Sequence, residues 1–124
     1  MKVLVVDDFA TMRKIIKNVL KQINIVNVLE AENGKHALKV LQNDTIDLII
    51  SDLIMPEMTG IEFLKACKAD ENIKNIPFIM VTAEAQKDNI MEAIKSGVDN
   101  YIVKPFTPDK LSAAIDKAKA KIAK

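Results

Sequence analysis

The sequence predicts a doubly wound α/β domain over residues 1–124, a five-stranded parallel sheet with helices on both faces. Three observations carry that prediction. Five short apolar runs recur, at residues 3–6, 26–29, from Ile46 to just before Asp52, 78–81 and 101–103; each suits a strand and is too short for a helix. The first is apolar without alternation, as in a strand covered on both faces of a parallel sheet. Segments with apolar residues at helical spacing separate the runs, so strand and helix alternate and the crossovers are right-handed.

Taken in order, the first strand stops at Asp7-Asp8. The helix after it places Phe9, Met12, Ile15, Ile16, Val19, Leu20 and Ile23 toward the sheet and Arg13, Lys14, Lys17 and Lys21 elsewhere, an amphipathic pattern. Residues 26–29 form a more polar strand, nearer an edge. Asn33-Gly34 opens a short helix with Ala37, Leu38 and Leu41 inward. The third strand breaks off at Asp52, and Pro56 and Gly60 punctuate the loop beyond it. Thr59 and Glu62 have the spacing of a capping box, each side chain accepting from a free N–H at the helix start; Phe63, Leu64 and Cys67 form that helix's buried stripe. Pro77 introduces the fourth strand, which ends at Thr82. The next helix turns Ile90, Met91 and Ile94 inward and stops at Gly97. The fifth strand ends at Lys104-Pro105. Thr107 caps the last helix, with Pro108 in the first turn where no donor is missed. Leu111, Ala114, Ile115, Ala118 and Ile122 face inward, and the lysines at 110, 117, 119, 121 and 124 make a solvated face suited to the helix's C-terminal dipole.

Composition narrows the class. With 49% apolar and 28% charged residues among 124, there is material for one core. A formal net charge of +1 provides no general attraction to nucleic acid or an anionic membrane. No apolar run is long enough to span a bilayer, and a strand directly after Met1-Lys2 leaves no space for a signal peptide. Cys67 is alone, which rules out an internal disulfide and cysteine-based zinc spacing. A soluble, cytoplasmic monomer is the expectation.

Four strands end in polar groups at one sheet edge: Asp7-Asp8, Asp52, Thr82 and Lys104. Open α/β sheets build their sites at that edge. Two carboxylates about 5 Å apart repel by roughly 3 kcal/mol at an effective dielectric near 20, so three acids there must be kept apart or share a cation. Magnesium suits the donors: it takes oxygen ligands, accepts one or two carboxylates, and completes its shell with water and phosphate. Zinc is disfavoured for want of a convergent histidine or cysteine cluster. Metal, lysine and hydroxyl together form a clamp for phosphoryl oxygens, and a carboxylate is left as nucleophile. Asp52, central and without an acidic neighbour, is the best nucleophile. Position favours Asp8 as a direct metal ligand and Asp7 as the acid holding a water, an order the residues themselves leave open.

Residues 5–13 (Val-Val-Asp-Asp-Phe-Ala-Thr-Met-Arg), 51–56 (Ser-Asp-Leu-Ile-Met-Pro), 81–85 (Val-Thr-Ala-Glu-Ala) and 101–107 (Tyr-Ile-Val-Lys-Pro-Phe-Thr) resemble the receiver domains of two-component response regulators, within them the single-domain, CheY-like chemotaxis regulators. The resemblance runs essentially the full length. It implies a flavodoxin-like strand order 2-1-3-4-5 and phosphorylation of Asp52 by a histidine kinase of the chemotaxis type. It implies Mg2+ held by Asp7, Asp8, Asp52 and the backbone carbonyl of Ile54, a bond from Lys104 to the phosphoryl group, and a cis Lys104–Pro105 peptide. It also implies a switch in which Thr82 moves toward the phosphate and Tyr101 turns inward, exposing a surface for the flagellar motor switch protein around Tyr101, Val103 and Phe106. A phosphatase is a further implied partner. Nucleic acid and membrane are not. Two residues depart from the pattern. Ile54 stands where a polar side chain is frequent and cannot orient an attacking water, which predicts a longer-lived phosphorylated form. Leu53 replaces an aromatic.

Simpler roles compete for several of these residues. Asp7-Asp8 could cap a helix, although one acid would suffice for that. Thr82 could be a strand-end cap and Tyr101 an ordinary half-exposed strand residue. His36 and Cys67 have no assigned role, Cys67 reading as a small buried hydrophobe. The chain is expected to catalyse its own phosphorylation and dephosphorylation without being a turnover enzyme. The alternative is a relay intermediate passing the group to another histidine. A phosphoester-hydrolysing enzyme would need an acid/base aspartate where Ile54 stands. A flavin carrier would meet repulsion from Asp7-Asp8.

Overall fold

The computed structural model describes residues 1–122. Strands β1 (Lys2–Val6), β2 (Asn27–Ala31), β3 (Leu48–Ser51), β4 (Phe78–Thr82) and β5 (Asn100–Val103) alternate with helices α1 (Ala10–Gln22), α2 (Gly34–Asn43), α3 (Gly60–Ala69), α4 (Lys87–Lys95) and α5 (Pro108–Ile122). All pairings are parallel, in the order β2-β1-β3-β4-β5. From β1 the chain winds outward to β2, then crosses back to β3, and the crevice between the carboxyl ends of β1 and β3 is the topological switch point.

Alternation along each strand divides the core into two layers. Val3, Val5, Leu48, Ile50, Ile79, Val81 and Ile102 pack under α1 and α5. Leu4, Val6, Ile49, Phe78 and Met80 pack under α2 and α3, where the Phe63 and Phe78 rings meet at 5.4 Å. The central strands are buried on both faces, as their apolar runs require.

The capping box at Thr59 is present with both bonds, Thr59 N–H to Glu62 (2.9 Å) and Glu62 N–H to the Thr59 hydroxyl (3.2 Å). Gly97 follows α4 with φ of 99°, a left-handed conformation that glycine takes without Cβ strain. Thr107 Oγ1 accepts from Lys110 N–H at the start of α5.

Some expectations are corrected. The second strand is Asn27–Ala31, not 26–29: its parallel register with β1, Lys2 opposite Asn27 through Val6 opposite Ala31, sets its limits, and Val26 stays 77% exposed. In α1, Ile16, Val19 and Leu20 are buried but Ile15 is exposed, and Phe9 precedes the helix and points to solvent. In α4 only Ala93 is buried, while Met91 and Ile94 are exposed. At about 100° per residue, Ala93 lies a quarter-turn from Ile94, and its small side chain is the one set against the protein. Ile122, at the end of α5, is 37% exposed. Lys124 lies outside the described residues.

Candidate functional site

The register brings the predicted site together. Val6 of β1 lies opposite Ser51 of β3, so Asp7 and Asp52 leave adjacent strands side by side. Ser51 pairs with Met80, and Thr82 with Val103, which places Thr82 and Lys104 on the far side of Asp52. Among the described residues, the buried polar and charged ones are Asp7, Ser51, Asp52 and Thr82. All sit at this one edge, where a sheet otherwise buried in hydrocarbon must find partners for them.

Asp7, Asp8 and Asp52 offer carboxylate oxygens within 4.8 Å of one another. Lys104 reaches between two of them, its Nζ 3.0 Å from Asp7 Oδ2 and 3.2 Å from Asp52 Oδ2. One ammonium against three carboxylates leaves a local charge of −2. The other oxygen of each buried acid is tied to backbone. Asp7 Oδ1 accepts from Phe9 N–H at 2.9 Å. Asp52 Oδ1 accepts from Leu53 N–H at 2.6 Å and Ile54 N–H at 3.3 Å. These bonds set the plane of each carboxylate and turn its second oxygen toward Lys104. Burial pushes the Asp7 carboxyl above its usual range, although the Phe9 N–H and Lys104 pull it back. Asp8 is exposed and has no ion-pair partner among the described residues.

The residues fit a hard divalent cation. The donors are carboxylate oxygens, the residual charge is −2, and the 4.8 Å spread is close to the roughly 4 Å across an octahedral shell with 2.0–2.1 Å bonds. Ile54 follows in the same loop with its side chain 61% exposed. Its carbonyl accepts no hydrogen bond among the described residues.

Gly60 makes the loop geometry possible. A Cβ there would lie 2.3 Å from the Asp52 carbonyl oxygen and 2.6 Å from Leu53 Cα. The α3 N-terminus therefore rests directly on the Asp52 backbone.

Thr82 and Tyr101 meet at a residue the sequence did not single out. Glu84 N–H donates to Thr82 Oγ1 (3.2 Å), and the Tyr101 hydroxyl donates to the Glu84 carbonyl (2.7 Å). The Thr82 hydroxyl thus accepts locally, in the manner of a strand-end cap, while its own proton stays available. Tyr101 is half-buried against the α2–α3 core layer, and burial raises its phenol above the usual value, helped by Glu84 and Asp52. Val103 and Phe106 are also half-buried. Lys104–Pro105 is cis. Arg13, off the apolar stripe of α1 and without a predicted role, donates from its guanidinium to the Asp7 carbonyl at 2.6 Å. Its acceptor is a backbone atom, which leaves no side-chain signature in the sequence. His36 accepts weakly from Glu32 N–H, and burial pushes the Cys67 thiol up to about 12, leaving both outside the site.

The model of the response regulator receiver domain matches residues 3–116. The chain belongs to the response regulator receiver domain family, among its CheY-type chemotaxis members. It is 50% identical to the chemotaxis protein CheY of Pseudomonas aeruginosa over 117 residues, covering 94% of each chain. It is 48% identical to CheY1 of Helicobacter pylori, again over 94% of each. The solved structure of Vibrio cholerae CheY4 superposes with a TM-score of 0.86 at 35% identity, covering 94% of this chain and 97% of that one. The strand order of this receiver domain is the 2-1-3-4-5 expected. No helix among the described residues is long and apolar enough to cross a membrane.

Proposed function

We propose that this receiver domain is a phosphorylation switch for chemotaxis: Asp52 accepts a phosphoryl group from a histidine kinase, and the modified protein binds the flagellar motor switch in the cytoplasm. The observation that carries this reading is the placement of the Asp52 carboxylate, buried, oriented by two backbone N–H groups, and flanked by Asp7, Asp8 and Lys104.

Asp7, Asp8, Asp52 and the Ile54 carbonyl would hold Mg2+, which neutralises charge on the phosphoryl oxygens as they approach the acids. An Asp52 oxygen forms a bond to phosphorus as the bond from phosphorus to the donor's imidazole nitrogen breaks, the electron pair staying on nitrogen. Lys104 exchanges its contacts with the carboxylates for a charge-assisted bond to the phosphoryl group. The Thr82 proton finds an acceptor only in the phosphorylated state, a differential contact that shifts a two-state equilibrium. Because Thr82 and Tyr101 both bond the Glu84 backbone, displacement of one disturbs the other. Tyr101, Val103 and Phe106 then form the partner surface, which exposed Met91 and Ile94 extend along α4. The chain catalyses its own phosphorylation and dephosphorylation and is not a turnover enzyme.

Incubation with Mg2+ and a small phosphodonor, followed by intact mass and binding to a motor-switch peptide, tests the proposal. A single phosphoryl adduct, lost in Asp52→Asn and accompanied by tighter peptide binding, is the expected result. No adduct would overturn it, and an adduct with unchanged peptide affinity would redirect it to a phosphorelay. Ile54→Asn, which restores a polar group beside the phosphoryl site, is expected to shorten the adduct's lifetime several-fold. Equal decay rates would remove Ile54 from the account.

A further inference from the structure

We infer that Arg13 is a positioning residue for the metal site, acting through the Asp7 carbonyl; this rests on the Mg2+ reading above. The Asp7–Asp8 peptide is where the geometry of the acid pair is decided, because Asp8 has no side-chain partner of its own among the described residues to hold it. The Asp7 residue is gripped on both sides, by β2 at its N–H and by α1 at its carbonyl. Its N–H donates to the Ala31 carbonyl at 3.1 Å, and its carbonyl accepts from Arg13 Nη1 at 2.6 Å. Arg13 is itself fixed. Its Nε lies 2.9 Å from Glu30 Oε1, and its side chain is only 13% exposed. Glu30 is anchored in turn by Lys17, 3.0 Å from its other oxygen. Lys17 and Arg13 stand four residues apart on one helix face, so a single carboxylate on β2 aligns both.

The guanidinium fork thereby joins α1, the end of β1 and β2 at the peptide that launches Asp8. Outer partners that orient ligands typically change metal affinity by tenfold or more when removed. Simple electrostatics makes the opposite forecast: deleting a cation near three acids should tighten Mg2+ binding. The sign of the effect separates the two.

Mg2+ titration by calorimetry on the unaltered protein, Arg13→Met, Arg13→Lys and Lys17→Ala provides the test. Methionine keeps the packed stem and lacks the donors. Arg13→Met is expected to weaken Mg2+ binding about tenfold. Arg13→Lys, with an ammonium in reach of the carbonyl, should recover part of that loss. Lys17→Ala, which removes a neighbouring charge but not the bond to Asp7, should leave affinity unchanged or slightly tighter. Unchanged or tighter binding by Arg13→Met overturns the inference, as does a Lys17→Ala loss equal to that of Arg13→Met. Should Arg13→Met not fold, an Arg13→Lys variant with a Kd weaker than the unaltered protein's supports the inference, and one with an identical Kd overturns it. Failure of the unaltered protein to bind Mg2+ would overturn this inference and the metal reading together.

Discussion

At the amino ends of the strands, Asp47 and Asp99 each clip the first residue of a neighbouring strand with a pair of bonds. Asp47 N–H donates to the Lys2 carbonyl (2.8 Å) and its Oδ2 accepts from Lys2 N–H (2.7 Å). Asp99 does the same to Phe78, at 2.9 and 2.7 Å, and adds an ion pair with Lys121. At the carboxyl ends, Asp7, Asp8 and Asp52 converge instead, and two of them share one lysine. The residue type is the same at both edges and its use differs. A carboxylate with its own N–H donor pins strand register, a structural task. Carboxylates crowded beyond the cations available leave a charge deficit, which is a binding property. The difference lies in how many acids meet, and the strand register decides that number.

That contrast can be broken most forcefully at Gly60. Gly60→Ala drives a Cβ into the Asp52 and Leu53 backbone, where no side chain can yield. A stability loss of about 2–3 kcal/mol is expected by denaturant titration, as for overpacking elsewhere, together with loss of Mg2+ binding. At the opposite edge, Asp99→Ala should cost about 1–3 kcal/mol through the orphaned Phe78 N–H and the lost Lys121 pair, with Mg2+ affinity unchanged. An altered affinity there would erase the proposed division between the two edges.

Asp7→Asn should act in the reverse direction. Burial raises the folded-state pKa of Asp7 above its ordinary 3.8, so the folded state takes up this proton more readily than the unfolded chain. The resulting contribution to stability is present below 3.8 and is lost as pH rises through the folded value. At neutral pH the charge therefore opposes folding of the metal-free protein. Replacing it with an amide is expected to raise Tm by a few degrees while weakening Mg2+ binding, and the Tm gain should shrink as pH falls toward 3.8. A neutral-pH Tm below that of the unaltered protein would show that the Lys104 ion pair outweighs burial.

Much of this was legible in the residues. Each core strand announces itself as an apolar run, and the polar group that ends it falls at the sheet edge, so Asp52, Thr82 and Lys104 could be located from local pattern. Arg13, Glu84, Asp47 and Asp99 could not. Their partners come from other elements, or are backbone atoms that carry no side-chain signature. The inward face of α4 differs for a related reason: of the apolar stripe Ile90 is half-buried, Met91 and Ile94 are exposed, and Ala93 is the residue that is fully buried.

The sequence by itself determined that five strands and five helices would alternate and which residues would stand at the strand ends, because period and chain order are local properties. Only the tertiary structure decided that three acids converge and two of them share one lysine, that Glu84 links Thr82 to Tyr101, and that Arg13 holds the Asp7 carbonyl. Those facts depend on register between strands distant in sequence, and register is a property of the packed sheet.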